Sequence, residues 1–194
     1  MAMTNSSTSY EWINVQLKNK MKRMKSIILI MAFLGFSLVF SQVTIFDVAR
    51  RGTVAEMTSL LTAQPQAIET KTAQGFTPLI LACYNSNDEV ATFLIQQKAN
   101  LNNVSPNGTA LMASVVKNNQ KLAKLLLDLN ANPDLQDGNG FTALHYAIQF
   151  RNYEMIALLM QYQTQITIKD NMGMTAKAYA INLKDEKIQH LLKL

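Results

Sequence analysis

One short string recurs along this chain at a nearly fixed interval, and such a period constrains the architecture more than any other feature of a sequence. Thr77-Pro78-Leu79, Thr109-Ala110-Leu111, Thr142-Ala143-Leu144 and Thr175-Ala176-Lys177 begin 32, 33 and 33 residues apart. Five positions after each threonine stands a small residue: Ala82, Ser114, Ala147 and Ala180. An apolar residue follows at the thirteenth position (Val90, Leu122, Met155, Ile188) and a leucine at the seventeenth (Leu94, Leu126, Leu159, Leu192). A degenerate earlier copy, Val48-Ala49-Arg50-Arg51-Gly52 with Met57 and Leu60-Leu61, aligns with Ala82-Cys83 and Leu94-Ile95 at an offset of 34.

Inside each unit the apolar spacing is helical and comes in two bursts. In the third unit these are Leu111, Ser114, Val115 and then Leu122, Leu125, Leu126, parted by the polar stretch Lys117 to Gln120. Each unit therefore reads as a helix pair. The threonine is a natural N-cap, and Pro78 occupies a first-turn position where its missing N–H removes no helical bond. Gly75, Asn107, Gly140 and Gly173 stand two residues before the threonines. They are residue types that accept the positive φ of a tight turn. One such pair cannot bury its own apolar face, so the units must stack. The expected fold is an all-α solenoid of about five helix-turn-helix units with short connecting loops, with repeats at about 43–71, 72–103, 104–136, 137–169 and 170–194.

Gly75-Phe76-Thr77-Pro78-Leu79 and Gly140-Phe141-Thr142-Ala143-Leu144-His145-Tyr146-Ala147 resemble the ankyrin repeat signature, and Leu94-Ile95 with Lys98-Ala99-Asn100-Leu101-Asn102 resembles its second-helix ending. The resemblance covers about Val43 to Leu194. The chain departs from it in three places. The glycine usual between the two helices survives only as Gly52, with Ser86, Asn118, Arg151 and Lys184 in the other units, which puts tight turns there in doubt. The loop before Thr109 is one residue short, which implies an irregular loop, and Lys177 replaces a core leucine, as a terminal cap would.

The resemblance implies a non-enzymatic interaction module that binds a protein partner through loop tips and the concave first-helix face. Carried onto this chain, the partner-binding candidates are Gln74, Phe76, Tyr84 and Asn85, then Val116 and Lys117, then Asn139, Phe141, Gln149 and Phe150, and finally Met172 and Met174. This set is rich in aromatic and Met side chains and carries one charge, Lys117. Clustered exposed aromatics mark interfaces. The competing expectation for Phe76 and Phe141 is that they fold back over their own turns. If the interface is not here, the next candidate is the second-helix face around Lys121, Lys124 and Tyr153.

No arrangement of residues points to catalysis, so no enzyme, cofactor or metal is expected. His145 and His190 lie in different units, and by resemblance His145 fills a structural position that bonds connecting backbone. One cysteine, Cys83, and two remote histidines cannot supply the roughly four close ligands of a zinc site. Cys83 sits beside Ala82 on the inner side of a first helix and reads as core. Asp134 and Asp137 read as loop hydrogen-bonding residues. Asn107-Gly108-Thr109 matches a glycosylation sequon whose threonine is needed as a cap.

The segment before the repeats has a different chemistry. A basic run from Lys18 to Lys25 precedes an apolar stretch, residues 27–40, and then Ser41-Gln42. That order is the layout of a secretory signal peptide, with Val39 and Ser41 small enough to direct cleavage after Ser41. At about 1.5 Å per residue the stretch spans about 21 Å, short of the ~30 Å hydrocarbon core. The domains expected are thus 1–41, an N-terminal extension with signal peptide, and 42–194, the repeats. Met21 or Met24 would make a more compact start than Met1. The layout points to a bacterial export route and a periplasmic or secreted monomer. An uncleaved anchor in the inner membrane, holding the same scaffold, is the alternative. The formal charge of +5 belongs to this leader, because 13 basic and 12 acidic residues remain after position 41, a net +1. No concentrated basic face is left for nucleic acid.

Overall fold

A computed structural model describes Val43–Leu194 and, upstream, Lys18, Met21 and Lys22. The apolar stretch 27–40 and the cleavage point after Ser41 lie outside the described residues. Among the described residues no helix is long and apolar enough to cross a membrane.

Within Val43–Leu194, ten α-helices form five antiparallel pairs: α1 (Ile45–Arg51) with α2 (Val54–Ala63), α3 (Pro78–Tyr84) with α4 (Asp88–Gln96), α5 (Ala110–Val116) with α6 (Gln120–Asp128), α7 (Ala143–Gln149) with α8 (Tyr153–Gln161), and α9 (Ala176–Asn182) with α10 (Glu186–Leu191). A 3-10 turn, Pro65–Glu69, follows α2. First helices pack on first helices and second on second, so the apolar faces of neighbouring units close one continuous core. The expected solenoid is present. Leu94, Leu126 and Leu159, the seventeenth-position leucines of three successive units, are each fully buried in it.

Threonine caps start the first helices. Thr77, Thr109 and Thr175 accept from the backbone N–H of Ile80, Met112 and Ala178 at 3.3, 3.2 and 3.0 Å. Asparagines stand at the N-cap position of the middle three second helices, with Thr53 and Asp185 at that position in the first and fifth, and they fasten each of those three units to the one before it. Asn119 Oδ1 accepts from Leu122 N–H at 3.0 Å while its amide donates to Asp88 of the preceding unit at 2.7 Å. Asn152 repeats the device on Met155 N–H and Asn118, at 3.0 and 2.7 Å. The Asn87 amide instead reaches back to the Gly52 carbonyl at 2.9 Å. One short polar side chain thus settles orphan backbone donors and the register between units.

The turns correct the expectation attached to the missing glycines. Ser86, Asn118, Arg151 and Lys184 take the left-handed conformation themselves, at φ of 57, 54, 52 and 51°. The turns at Ser86, Asn118 and Arg151 close in the Schellman pattern, as where Asn87 N–H donates to Ala82 O at 2.9 Å and Ser86 N–H to Cys83 O at 3.2 Å, and at Lys184 its N–H donates to Ile181 O at 3.0 Å. The turns stay tight at a cost of about 1 kcal/mol or more per residue. Gly52, the one glycine kept, has φ −86° and does not need to be glycine for that reason. In the shortened connector before Thr109 the positive φ falls on Gly108, at 103°, and not on Asn107. That loop is regular: Ser105 and Gly108 exchange backbone bonds of 3.0 and 2.9 Å around Pro106-Asn107.

The other connectors turn at Gly75, Gly140 and Gly173, and two of these separate conformation from packing. A Cβ on Gly140 (φ +80°) would lie 2.7 Å from Asn171 N and 2.9 Å from Asp170 Cα, whereas one on Gly173 (φ +78°) meets nothing within 4 Å. Gly173→Ala is expected to lose the left-handed penalty alone, about 1–2 kcal/mol. Gly140→Ala adds about 1–3 kcal/mol of overpacking, because the next connector has to move. Equal losses in urea melts of the two variants would contradict the close stacking of these tips.

Candidate functional site

The tips of the last two full connectors are built around carboxylates. Asp137 Oδ1 accepts from Asn139 N–H and Phe141 N–H, both at 2.8 Å, and Asp170 Oδ1 accepts from Met172 N–H and Met174 N–H, both at 2.9 Å. The second oxygen of each carboxylate receives a tyrosine hydroxyl from the helix that follows, Tyr146 at 2.5 Å and Tyr179 at 2.6 Å. Burial alone would raise the Asp170 carboxyl. The Tyr179 hydroxyl and the two backbone donors outweigh it and hold the group below the usual carboxylate range. The phenols respond in the opposite sense. The bond to Asp170, with burial behind it, pushes Tyr179 up to about 12, and burial followed by Asp137 pushes Tyr146 higher still.

Rings converge on this pair of tips. Phe141 stacks on His145 at 5.4 Å and meets Tyr146 and Tyr179 edge-on at 5.4 and 5.8 Å. Tyr146 in turn stacks on Phe150 at 6.3 Å and 15°. Phe150 is 55% exposed, so the outer side of this stack faces solvent. Two units earlier Tyr84 is 41% exposed, and Lys117 Nζ lies 4.9 Å above its ring.

The expected site residues divide accordingly. Gln74, Tyr84, Asn85, Lys117, Asn139, Gln149, Phe150 and Met172 are exposed. Val116 and Met174 are half-buried. Asn85 is partly committed to its own helix, its amide donating to the Leu81 carbonyl at 2.8 Å. Phe76 and Phe141 are half-buried and packed against the core, so for these two rings the fold-back expectation describes the geometry. No aromatic pair among the described residues joins Phe76. The structure adds Tyr146 and Tyr179, four positions after their threonines, which the surface offsets omit. The signal was available as two copies of Asp followed nine residues later by Tyr, 33 residues apart.

The residues weighed for chemistry serve the fold. His145 Nδ1 accepts from Thr142 N–H at 3.1 Å, which leaves the proton on a buried Nε2 with no partner at normal hydrogen-bond distance. Burial keeps this imidazole below its ordinary value against the opposing pull of the Met174 carbonyl, Asp170 and Asp137. Cys83 is fully buried, and burial pushes its thiol up to about 12, so it holds no thiolate at neutral pH. Among the described residues no group of three His, Cys, Asp or Glu side chains could hold a metal ion.

The family model for ankyrin repeats (3 copies) matches residues 45–137 and 115–194, the whole helical array. The chain belongs to the ankyrin repeat family. An ankyrin repeat protein of Acanthamoeba polyphaga mimivirus is 31% identical over 94 residues, which make up 47% of this chain and 12% of that relative. The matched stretch of this ankyrin chain therefore spans about an eighth of that protein's length. Ankyrin repeats are in general protein–protein interaction modules and typically not enzymes.

Proposed function

We propose that this ankyrin protein is an exported scaffold that binds a protein partner through the first-helix face of its second to fifth units and catalyses nothing itself. The observation that carries the reading is the solvent-facing pair Phe150 and Tyr84, 55% and 41% exposed although a core has no use for rings there. The second-helix face is a weaker candidate because Lys124 and Tyr153 there are already matched. Lys124 Nζ lies 2.7 Å from Asp128, Tyr153 donates to Asp185 at 3.0 Å, and Lys187 sits 4.0 Å over the Tyr153 ring. The binding half of the proposal is tested by removing Tyr84 and Phe150 together and asking whether a chain that still folds keeps its partner.

Export rests on the basic, apolar and small-residue order of the leader. Material purified from the periplasm is expected to begin at Gln42 on N-terminal sequencing. Recovery in a membrane fraction with Met1, Met21 or Met24 at the N-terminus would favour the tethered scaffold instead.

A further inference from the structure

We propose that the aromatic surface shared by the fourth and fifth units receives a cationic side chain of the partner, arginine above all, laid against the Phe150–Tyr146 stack. The inference deepens the protein-binding reading above and rests on it. Its ground is a coincidence of two features in the same two units. Asp137 and Asp170 stand at the connector position held by Thr72 and Ser105 in the second and third units, and Tyr146 and Tyr179 at the helix position held by Leu81 and Ala113. Negative charge and aromatic surface thus arrive together, and only where the hydroxyls join them.

Both carboxylates are buried, and each hydrogen bond to their side-chain oxygens comes from a backbone N–H or a tyrosine hydroxyl. Among the described residues neither forms an ion pair. Arg151, next to Phe150, is turned instead toward Asp185 at 3.5 Å. A phenol that donates to a carboxylate gains electron density in its ring, which strengthens the attraction of the ring face for a cation. Lys117 over Tyr84 shows a cation taking that position on the same helix face. Arginine fits better than lysine, because its planar guanidinium stacks on an aromatic face while keeping its edge donors free.

The test uses the full chain and four fluorescein-labelled Gly/Ser peptides that differ only in carrying two arginines, two lysines, two leucines or two glutamates. Fluorescence anisotropy is expected to show the arginine peptide binding about tenfold or more tighter than the leucine and glutamate peptides. Phe150→Leu keeps the site apolar but removes the ring, and is expected to abolish that preference with the helical content unchanged. Tyr146→Phe keeps the ring, breaks the link to Asp137, and is expected to weaken the arginine peptide severalfold. A leucine peptide that binds as tightly as the arginine peptide would overturn the proposal in favour of an apolar segment, and a glutamate preference would overturn it in favour of Lys117 as the anchor. Full arginine binding in Phe150→Leu, or no binding of any peptide, also overturns it. The broader reading fails by a different result, since capture of the partner by the Tyr84→Ala/Phe150→Ala chain would show that another face is used.

Discussion

Truncating Leu126 to alanine is expected to lower the unfolding free energy by about 2–5 kcal/mol, the range for removing a fully buried leucine. Leu126 is completely excluded from solvent on α6, in the third of five units, where that helix packs against α5, α4 and α8. A solenoid has no contacts between distant units, so its stability is close to a sum of terms from each unit and its two junctions. A cavity at Leu126 weakens one unit and both of its junctions. Truncation of Ile188 in the fifth unit would touch the junction with the fourth, the one that unit makes among the described residues. Urea titration followed by circular dichroism reads the loss directly. A change under about 0.5 kcal/mol, the size of an ordinary surface substitution, would mean that Leu126 is not where three helices meet.

The architecture was legible because repetition multiplies weak signals. A single Thr followed by an apolar run is a poor helix start. Thr77, Thr109, Thr142 and Thr175 in register, each with its leucine seventeen residues on, leave one reading. What stayed hidden were properties that residue type does not carry. Ser86, Arg151 and Lys184 are not marked as left-handed by their chemistry; the first two are held there by the Schellman bonds of the helix they end, and Lys184 by its N–H bond to Ile181 O. In the connector before Thr109 the missing residue moves the positive φ from Asn107 to Gly108, a shift that depends on loop length. An offset from the threonine told which side of the unit Phe141 leaves from, yet not that its ring would turn inward onto His145. Tyr146 and Tyr179 were missed for the converse reason. Their offset belongs to the inner surface of the first helix, and only their hydroxyl bonds to Asp137 and Asp170 lift them out of the list of packing residues.

In the proposed function the exposed rings of the first-helix face hold a protein partner and do not serve the core. Anchors of this kind typically cost about 2 kcal/mol or more each when truncated, roughly thirtyfold in affinity. Tyr84 and Phe150 belong to units separated by one full repeat, so a ligand that uses both must bridge them, as a folded protein or long peptide does. Anchors that share one ligand need not add, so the double variant Tyr84→Ala/Phe150→Ala is expected to weaken capture by between about thirtyfold and a thousandfold. Loss of two exposed side chains should leave the melting temperature nearly unmoved. Quantitative pull-down of the partner, with a thermal melt of the same preparation, is the most direct measurement: capture lost with the melt unchanged is the predicted result, and early unfolding or undiminished capture would contradict it.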